Sequence, residues 1–229
     1  MDKKKLIDKE SRFDVAILAA GDFPKNNVVL EILKKTTPLV VCDSAMEDVI
    51  AYNKDKNNGE QLHPSAVVGD GDSLHSELKE KYRAIWHHYS EQDFNDLTKA
   101  TKFAIKNYSS KTIAYIGATG KREDHTIGNI SLMRYYHEHL GIAPTLITDY
   151  GWFVPSNGED LFESFAGQQV SIFNCGCKRL ESEGLKLNTS PFNELWEGTL
   201  NEATSDSFKI NGDGEYLVFR TFKKKIMAK

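Results

Sequence analysis

Hydrophobic and polar positions alternate in blocks through the first two thirds of the chain. Residues 13–20 are mostly apolar and stop at Gly21-Asp22, and residues 26–35 follow with Val29, Ile32 and Leu33 on one face. A short apolar run bounded by turn residues reads as a buried strand, whereas apolar residues three and four apart read as a helix. The couplet then recurs. Residues 38–42 form a strand ending at Asp43-Ser44, with a helix over 45–52; a polar surface loop covers 53–61. The next strand ends at Asp70 and leads to a charged helix over 75–83; residues 84–89 read as a further strand. Residues 93–107 carry a helical stripe of Leu97, Ala100, Ala104 and Ile105. A strand over 112–116, a helix reaching His139 and a strand over 145–148 close the series.

Beyond Asp149 the helical period disappears. Ser156-Asn157-Gly158 and Asn211-Gly212-Asp213-Gly214 punctuate short strand-like runs such as 169–173 and 216–222. The pattern predicts an α/β fold, a mostly parallel sheet flanked by helices in a Rossmann-like three-layer arrangement over residues 1–149. An all-β, sandwich-like domain follows over residues 150–229.

Composition narrows the function classes. With 33 acidic against 29 basic residues, the net charge of −4 offers no overall attraction for nucleic acid or an anionic membrane. No segment approaches the ~18 apolar residues of a membrane helix. Residues 1–5 are basic like the start of a signal peptide, but 6–14 are broken by charges and supply no apolar core for one. Three cysteines, two of them at 175 and 177, fit a reducing cytoplasm better than a disulfide framework.

The chemistry sits where strands end. Ala66-Val-Val-Gly-Asp70-Gly-Asp72-Ser73 runs from a buried strand into two carboxylates, and strand ends are where α/β sheets bind ligands. Carboxylates one residue apart repel unless they share a proton or a cation lies between them, which points to a Mg²⁺-type ion. The same residues are good turn composition, the competing reading. Asp43 ends another strand, residues 92–96 follow a third and residues 117–125 a fourth, so these groups can meet in one crevice. Asp96 and Lys99 share a helix edge; alternatively Asp93 is the helix cap and Asp96 its capping-box partner. Gly117-Ala-Thr-Gly120-Lys121-Arg122 looks like a phosphate cradle. It departs from the Walker loop at Tyr115 and Arg122 and from the dinucleotide fingerprint at Glu123, and a plain loop capped by Asp124 is the alternative. The histidine pairs 87/88 and 137/139 read as surface or structural, and Trp86, Trp152 and Trp196 as packing.

Taken in order, Cys42-Asp43-Ser44-Ala45, Gly69-Asp-Gly-Asp-Ser73, Gln92-Asp-Phe-Asn-Asp96-Leu-Thr-Lys99 and Gly120-Lys-Arg122-Glu-Asp124-His125 with Asn129 resemble the thiamine pyrophosphokinase family. Glu183-Gly-Leu-Lys186 and Gly198-Thr-Leu-Asn201-Glu202 continue the likeness, which spans residues 13–222. The resemblance implies a homodimer whose thiamine sites use both subunits, with Mg²⁺, ATP and thiamine as ligands and thiamine diphosphate and AMP as products. It implies Asp43, Asp70, Asp72 and Asp96 as catalytic carboxylates, the last three as metal ligands. Ser73, Lys99, Arg122, Asp124 and His125 would surround ATP, and Gln92 and Asn201 would contact thiamine. The chain departs from the family pattern at Ser44-Ala45, at Gly71 where a bulky residue is usual, at Glu91, Asn95, Leu187 and Leu200. Two other functions fit the sequence: a thiamine- or nucleotide-binding sensor without catalysis, and a phosphatase with Asp70 as nucleophile, which Gly69 and Leu74 disfavour.

Overall fold

The computed structural model describes residues 3–54, 56–72, 76–91 and 93–224. Its elements are β1 (Lys3–Lys4), β2 (Val15–Leu18), α1 (Asn27–Lys35), β3 (Leu39–Cys42), α2 (Met46–Asn53), β4 (Ala66–Gly69), α3 (Ser76–Lys81), β5 (Trp86–His88), α4 (Asp96–Tyr108), β6 (Thr112–Ile116), α5 (Glu123–Leu140), β7 (Ala143–Ile147), β8 (Gly151–Glu163), β9 (Gln168–Asn174), β10 (Leu180–Glu183), β11 (Asn201–Glu202) and β12 (Ser207–Lys224).

β2 to β7 are parallel, in the spatial order β7-β6-β2-β3-β4-β5. Every residue of β2, β3 and β4 is buried, because helices cover both faces of the sheet. One face packs Leu18, Val41 and Val67 against Val29, Ile32 and Leu33 of α1 and Met46 and Val49 of α2. The other packs Ile17, Val40 and Val68 against Leu97, Ala100, Phe103 and Ala104 of α4 and Met133 and Tyr136 of α5. This is the three-layer arrangement that the alternating pattern predicts.

Two helix starts differ from expectation. α4 begins at Asp96, capped by Asn95, whose side chain accepts from the Thr98 backbone N–H; Asp93 is not its cap. α5 starts after Arg122 without a side-chain cap, and Asp124 pairs with Arg122 instead.

In the C-terminal part the turn-like Ser156-Asn157-Gly158 and Asn211–Gly214 stretches lie inside two long strands instead of separating short ones. A register shift between Asn211 and Glu215 absorbs the glycines as a bulge. The far ends of β8 and β12 pair with β1 and β10, their near ends with β7 and β9. The layers that share these strands close like a sandwich over Phe162, Val170, Ile172, Phe208, Ile210 and Val218, with Phe162 and Phe208 stacked at 5.0 Å. Leu146 and Ile147 of β7 pair antiparallel with Phe153 and Trp152 of β8, so one sheet runs unbroken from the α/β part into the β part. Arg220 is fully buried and donates to the carbonyls of Lys4, Lys5 and Glu163, fastening the N-terminal strand.

Strand order reverses between β2 and β6, the place where a doubly wound sheet opens a crevice at its carboxyl edge. The loops that follow these strands are tied together there, the Gly21 N–H donating to the Gly117 carbonyl and that of Asp22 to Thr119.

Candidate active site

The site is assembled from the loops after β3, β4 and β6 and the first turn of α4. Asp43 directly follows β3 and is fully buried. Its carboxylate accepts from the backbone N–H of Ser44 at 2.5 Å and of Gly71 at 2.8 Å. The loop after β4 wraps around this carboxylate, and its glycines permit it. A Cβ on Gly69 would stand 2.5 Å from Asp43 Cγ, and Gly71 has φ +81°, a left-handed conformation that aims its N–H at Asp43.

Asp43, Asp70 and Asp96 each bring a carboxylate oxygen within 4.8 Å of the others. Lys99, one turn along α4 with its side chain 3% exposed, lies 3.2 Å from Asp96 Oδ1 and 3.4 Å from Asp70 Oδ2. Burial, then the charge of Asp43, raises the Asp96 pKa, although Lys99 opposes both. Burial pulls Lys99 down, but Asp96 and Asp70 more than offset that and leave it raised. Three carboxylates against one ammonium leave the cluster short of positive charge. Its donors are all hard oxygens, the set that suits Mg²⁺.

Two of the trio, Asp70 and Asp96, border a cleft of about 560 Å³, a size that accommodates a nucleotide, and Asp43 lies buried behind them. Asp70, Asp96 and Lys99 line one side, and Lys121, Arg122, His125 and Asn129 the other. Lys121 Nζ donates to the Ala20 carbonyl at 2.9 Å, and Arg122 forks onto Asp124, both of them exposed. Two residues to which the sequence assigned no role join these walls. Asn95 Nδ2 donates to Asn129 Oδ1 at 3.3 Å, and Asn129 Nδ2 donates to the Ala118 carbonyl at 2.8 Å. Asparagines within the first two turns of predicted helices that both follow strand ends are the signal from which they are recoverable.

Other expected residues stand apart. Asp72 is exposed and outside the carboxylate trio; its backbone N–H donates to Asp70 Oδ1 at 3.1 Å. Asn201 is buried and does not line the cleft, its amide being spent on the N–H and carbonyl of Leu187 and the N–H of Glu202. Near it in sequence, Leu195, Trp196 and Leu200 are strongly exposed. Ser73 and Gln92 lie outside the described residues.

A family model described as "Thiamin pyrophosphokinase, catalytic domain" matches residues 29–143, about half of the chain, a span that contains the whole trio and Lys99. The chain belongs to the thiamin pyrophosphokinase family. A second model of that family, "Thiamin pyrophosphokinase, substrate-binding domain", matches residues 151–219. Among curated relatives, "Thiamine pyrophosphokinase 3" of Oryza sativa subsp. japonica is 37% identical over 82 residues, covering 32% of this chain and 31% of the relative. "Thiamine pyrophosphokinase 1" of the same plant is 35% identical over 79 residues, covering 31% and 30%. The alignable stretch thus spans about a third of these relatives. Solved structures align over far more: yeast thiamin pyrophosphokinase at TM-score 0.78 with 15% identity, covering 96% of this chain and 90% of that one. Thiamine pyrophosphokinase from Bacillus subtilis aligns at TM-score 0.72 with 18% identity, covering 92% and 99%. At such identities the likeness speaks for the fold, an α/β part with a C-terminal β part. Membership of the thiamin pyrophosphokinase family supports neither the phosphatase nor the sensor reading.

Proposed function

We propose that this chain transfers a diphosphoryl group from ATP to the hydroxyl of thiamine, giving thiamine diphosphate and AMP. The carrying observation is the Asp43–Asp70–Asp96 trio with Lys99, set across a nucleotide-sized cleft from Lys121 and Arg122. In this reading the hydroxyl oxygen bonds to the β-phosphorus as the bond from that phosphorus to the α-phosphate oxygen breaks, and AMP carries the electron pair away. Such a reaction asks the protein mainly for positioning and charge neutralisation.

Asp43, Asp70 and Asp96 would hold Mg²⁺, which when bound adds positive charge against the phosphate oxygens. Lys99, Arg122 and His125 would face the nucleotide, with Asp124 orienting Arg122. Asp72, on the surface, takes an outer place among the metal carboxylates, and Ser73 completes the nucleotide side. Asp96 is favoured over Asp72 as acceptor of the hydroxyl proton, because it lines the cleft and Asp72 does not. Residues 1–149 then serve ATP and Mg²⁺, and residues 150–229 serve thiamine, with Gln92 added from the first part. Asn201 contributes by fixing the Leu187 backbone. The exposed Leu195, Trp196 and Leu200 support a homodimer with thiamine held between subunits. Three free cysteines support a reducing, cytoplasmic setting, and no helix among the described residues is long and apolar enough to cross a membrane.

Incubation with ATP, Mg²⁺ and thiamine tests this directly. AMP and thiamine diphosphate are expected in equal amounts, and Asp70→Asn should abolish both. ADP with thiamine monophosphate would overturn the diphosphoryl step.

A further inference from the structure

The loop that carries Asp70 is held from below by a residue of the neighbouring strand. Trp86 opens β5 and pairs in register with Val67 of β4. A Cβ placed on Gly71 would stand 2.6 Å from Trp86 Cζ2 and 2.9 Å from Cη2, so the indole occupies the volume that any side chain at position 71 would need. The ring is clamped, with Lys79 Nζ 5.3 Å from its centroid and His88 edge-on at 5.9 Å. Its Nε1 is buried and has no hydrogen-bond partner among the described residues. A buried donor left unpaired is a cost that a plain phenyl ring would not carry.

The Gly71 peptide against which this ring packs is the one whose N–H reaches Asp43, and the next N–H along, that of Asp72, reaches Asp70 Oδ1. Displacing Gly71 therefore displaces two of the three carboxylates together. We infer that Trp86 is a positioning residue: through Gly71 it fixes the spacing of Asp43 and Asp70 and thereby the affinity for a divalent cation. This rests on the proposed reading of the trio as a Mg²⁺ site. The coupling is mechanical, and neither the ammonium of Lys79 nor the imidazole of His88 has to change its charge.

The test uses the full chain and Mg²⁺ alone, without ATP or thiamine, reading both the melting temperature and the tryptophan fluorescence. Trp86→Ala should raise the half-saturating Mg²⁺ about 10-fold or more, the scale found when groups supporting metal ligands are removed. Trp86→Phe should fall between Trp86→Ala and the parent. Gly71→Ala should weaken Mg²⁺ binding through its clash with the indole. Combined with Trp86→Ala it should cost less than the product of the single effects, because the clash is gone while the backbone strain stays. Fluorescence supplies a reading independent of the alanine variants: Mg²⁺ should change the emission of the parent, and Trp86→Phe should remove that response although Trp152 and Trp196 remain. Half-saturation within about twofold of the parent in Trp86→Ala, multiplicative single effects, or a response that survives in Trp86→Phe would each overturn the inference. A parent that shows no Mg²⁺-dependent shift in melting would overturn the metal site and the role of Trp86 together.

Discussion

Replacing Lys99 by methionine keeps most of the side-chain volume and deletes the ammonium that lies 3.2 Å from Asp96 and 3.4 Å from Asp70. At an effective dielectric of about 20 each attraction is worth about 5 kcal/mol gross, before the cost of burying the ammonium is set against it. Removing one member of a fully buried pair costs about 3–5 kcal/mol. Here the carboxylates are 21% and 30% exposed and can rehydrate or take up a proton, so we expect a net loss of about 2 kcal/mol. For a chain of this size that is a fall of about 6 °C in the metal-free melting temperature. Mg²⁺ binding should move the other way, because the trio loses its competing cation, and its half-saturation concentration should fall. On the proposed reaction turnover should collapse meanwhile, since nothing would replace the charge that Lys99 is proposed to set against the phosphates. Calorimetric melting with and without Mg²⁺, beside an assay for AMP release, separates these effects. An unchanged melting temperature, or Mg²⁺ binding that weakens with turnover, would refute this account of Lys99.

Burial first, then Asp43, raises the folded-state pKa of Asp96, so its stabilising contribution is complete below the ordinary carboxylate range and is lost as pH rises through the folded value. The metal-free protein should gain stability through this group as pH falls towards the ordinary carboxylate range, while Mg²⁺ binding weakens because the ion must displace a proton. An identical slope in Asp96→Asn would contradict this. Asn95→Ala removes the cap of α4 and the bridge to Asn129, and should cost about 1 kcal/mol of stability in denaturant titration. Arg220→Met strands the carbonyls of Lys4, Lys5 and Glu163, and should cost about 3 kcal/mol and speed tryptic cleavage among the N-terminal lysines.

The trio was legible because each member sits next to a structural boundary that apolar runs mark strongly: Asp43 and Asp70 after strands, Asp96 at a helix start. Lys99 followed from its three-residue spacing to Asp96. Asp72 was not separable from Asp70, since only the left-handed backbone at Gly71 turns the second carboxylate away from the first. The same glycine looks out of place in sequence and becomes intelligible only against Trp86, a contact between neighbouring strands that no local pattern reveals. Asp93 reads as the cap of α4 because it opens the helical stretch, whereas Asn95, two positions on and also a good capping residue, takes that place. Glycines at 158, 212 and 214 signal turns, yet the strands continue through them because the bulge accommodates their freedom. Asn201 reads from sequence as a polar contact, whereas its burial commits every hydrogen-bonding group of its amide but one N–H to the backbone nearby.

The pairing of β7 with β8 has a bearing on how this chain can be dissected. The two family models name two modules, but the seam between them is a stretch of shared hydrogen-bonded sheet, with Trp152 and Phe153 on the β8 side. Expressing either half alone would strip a sheet edge and lay apolar residues open to self-association. It also means that the span from the carboxylate cleft to the Asn201 loop is fixed by a stiff plate and not by a swinging tether. On the proposed reaction, any adjustment between nucleotide and acceptor would therefore fall to the loops at the plate's rim.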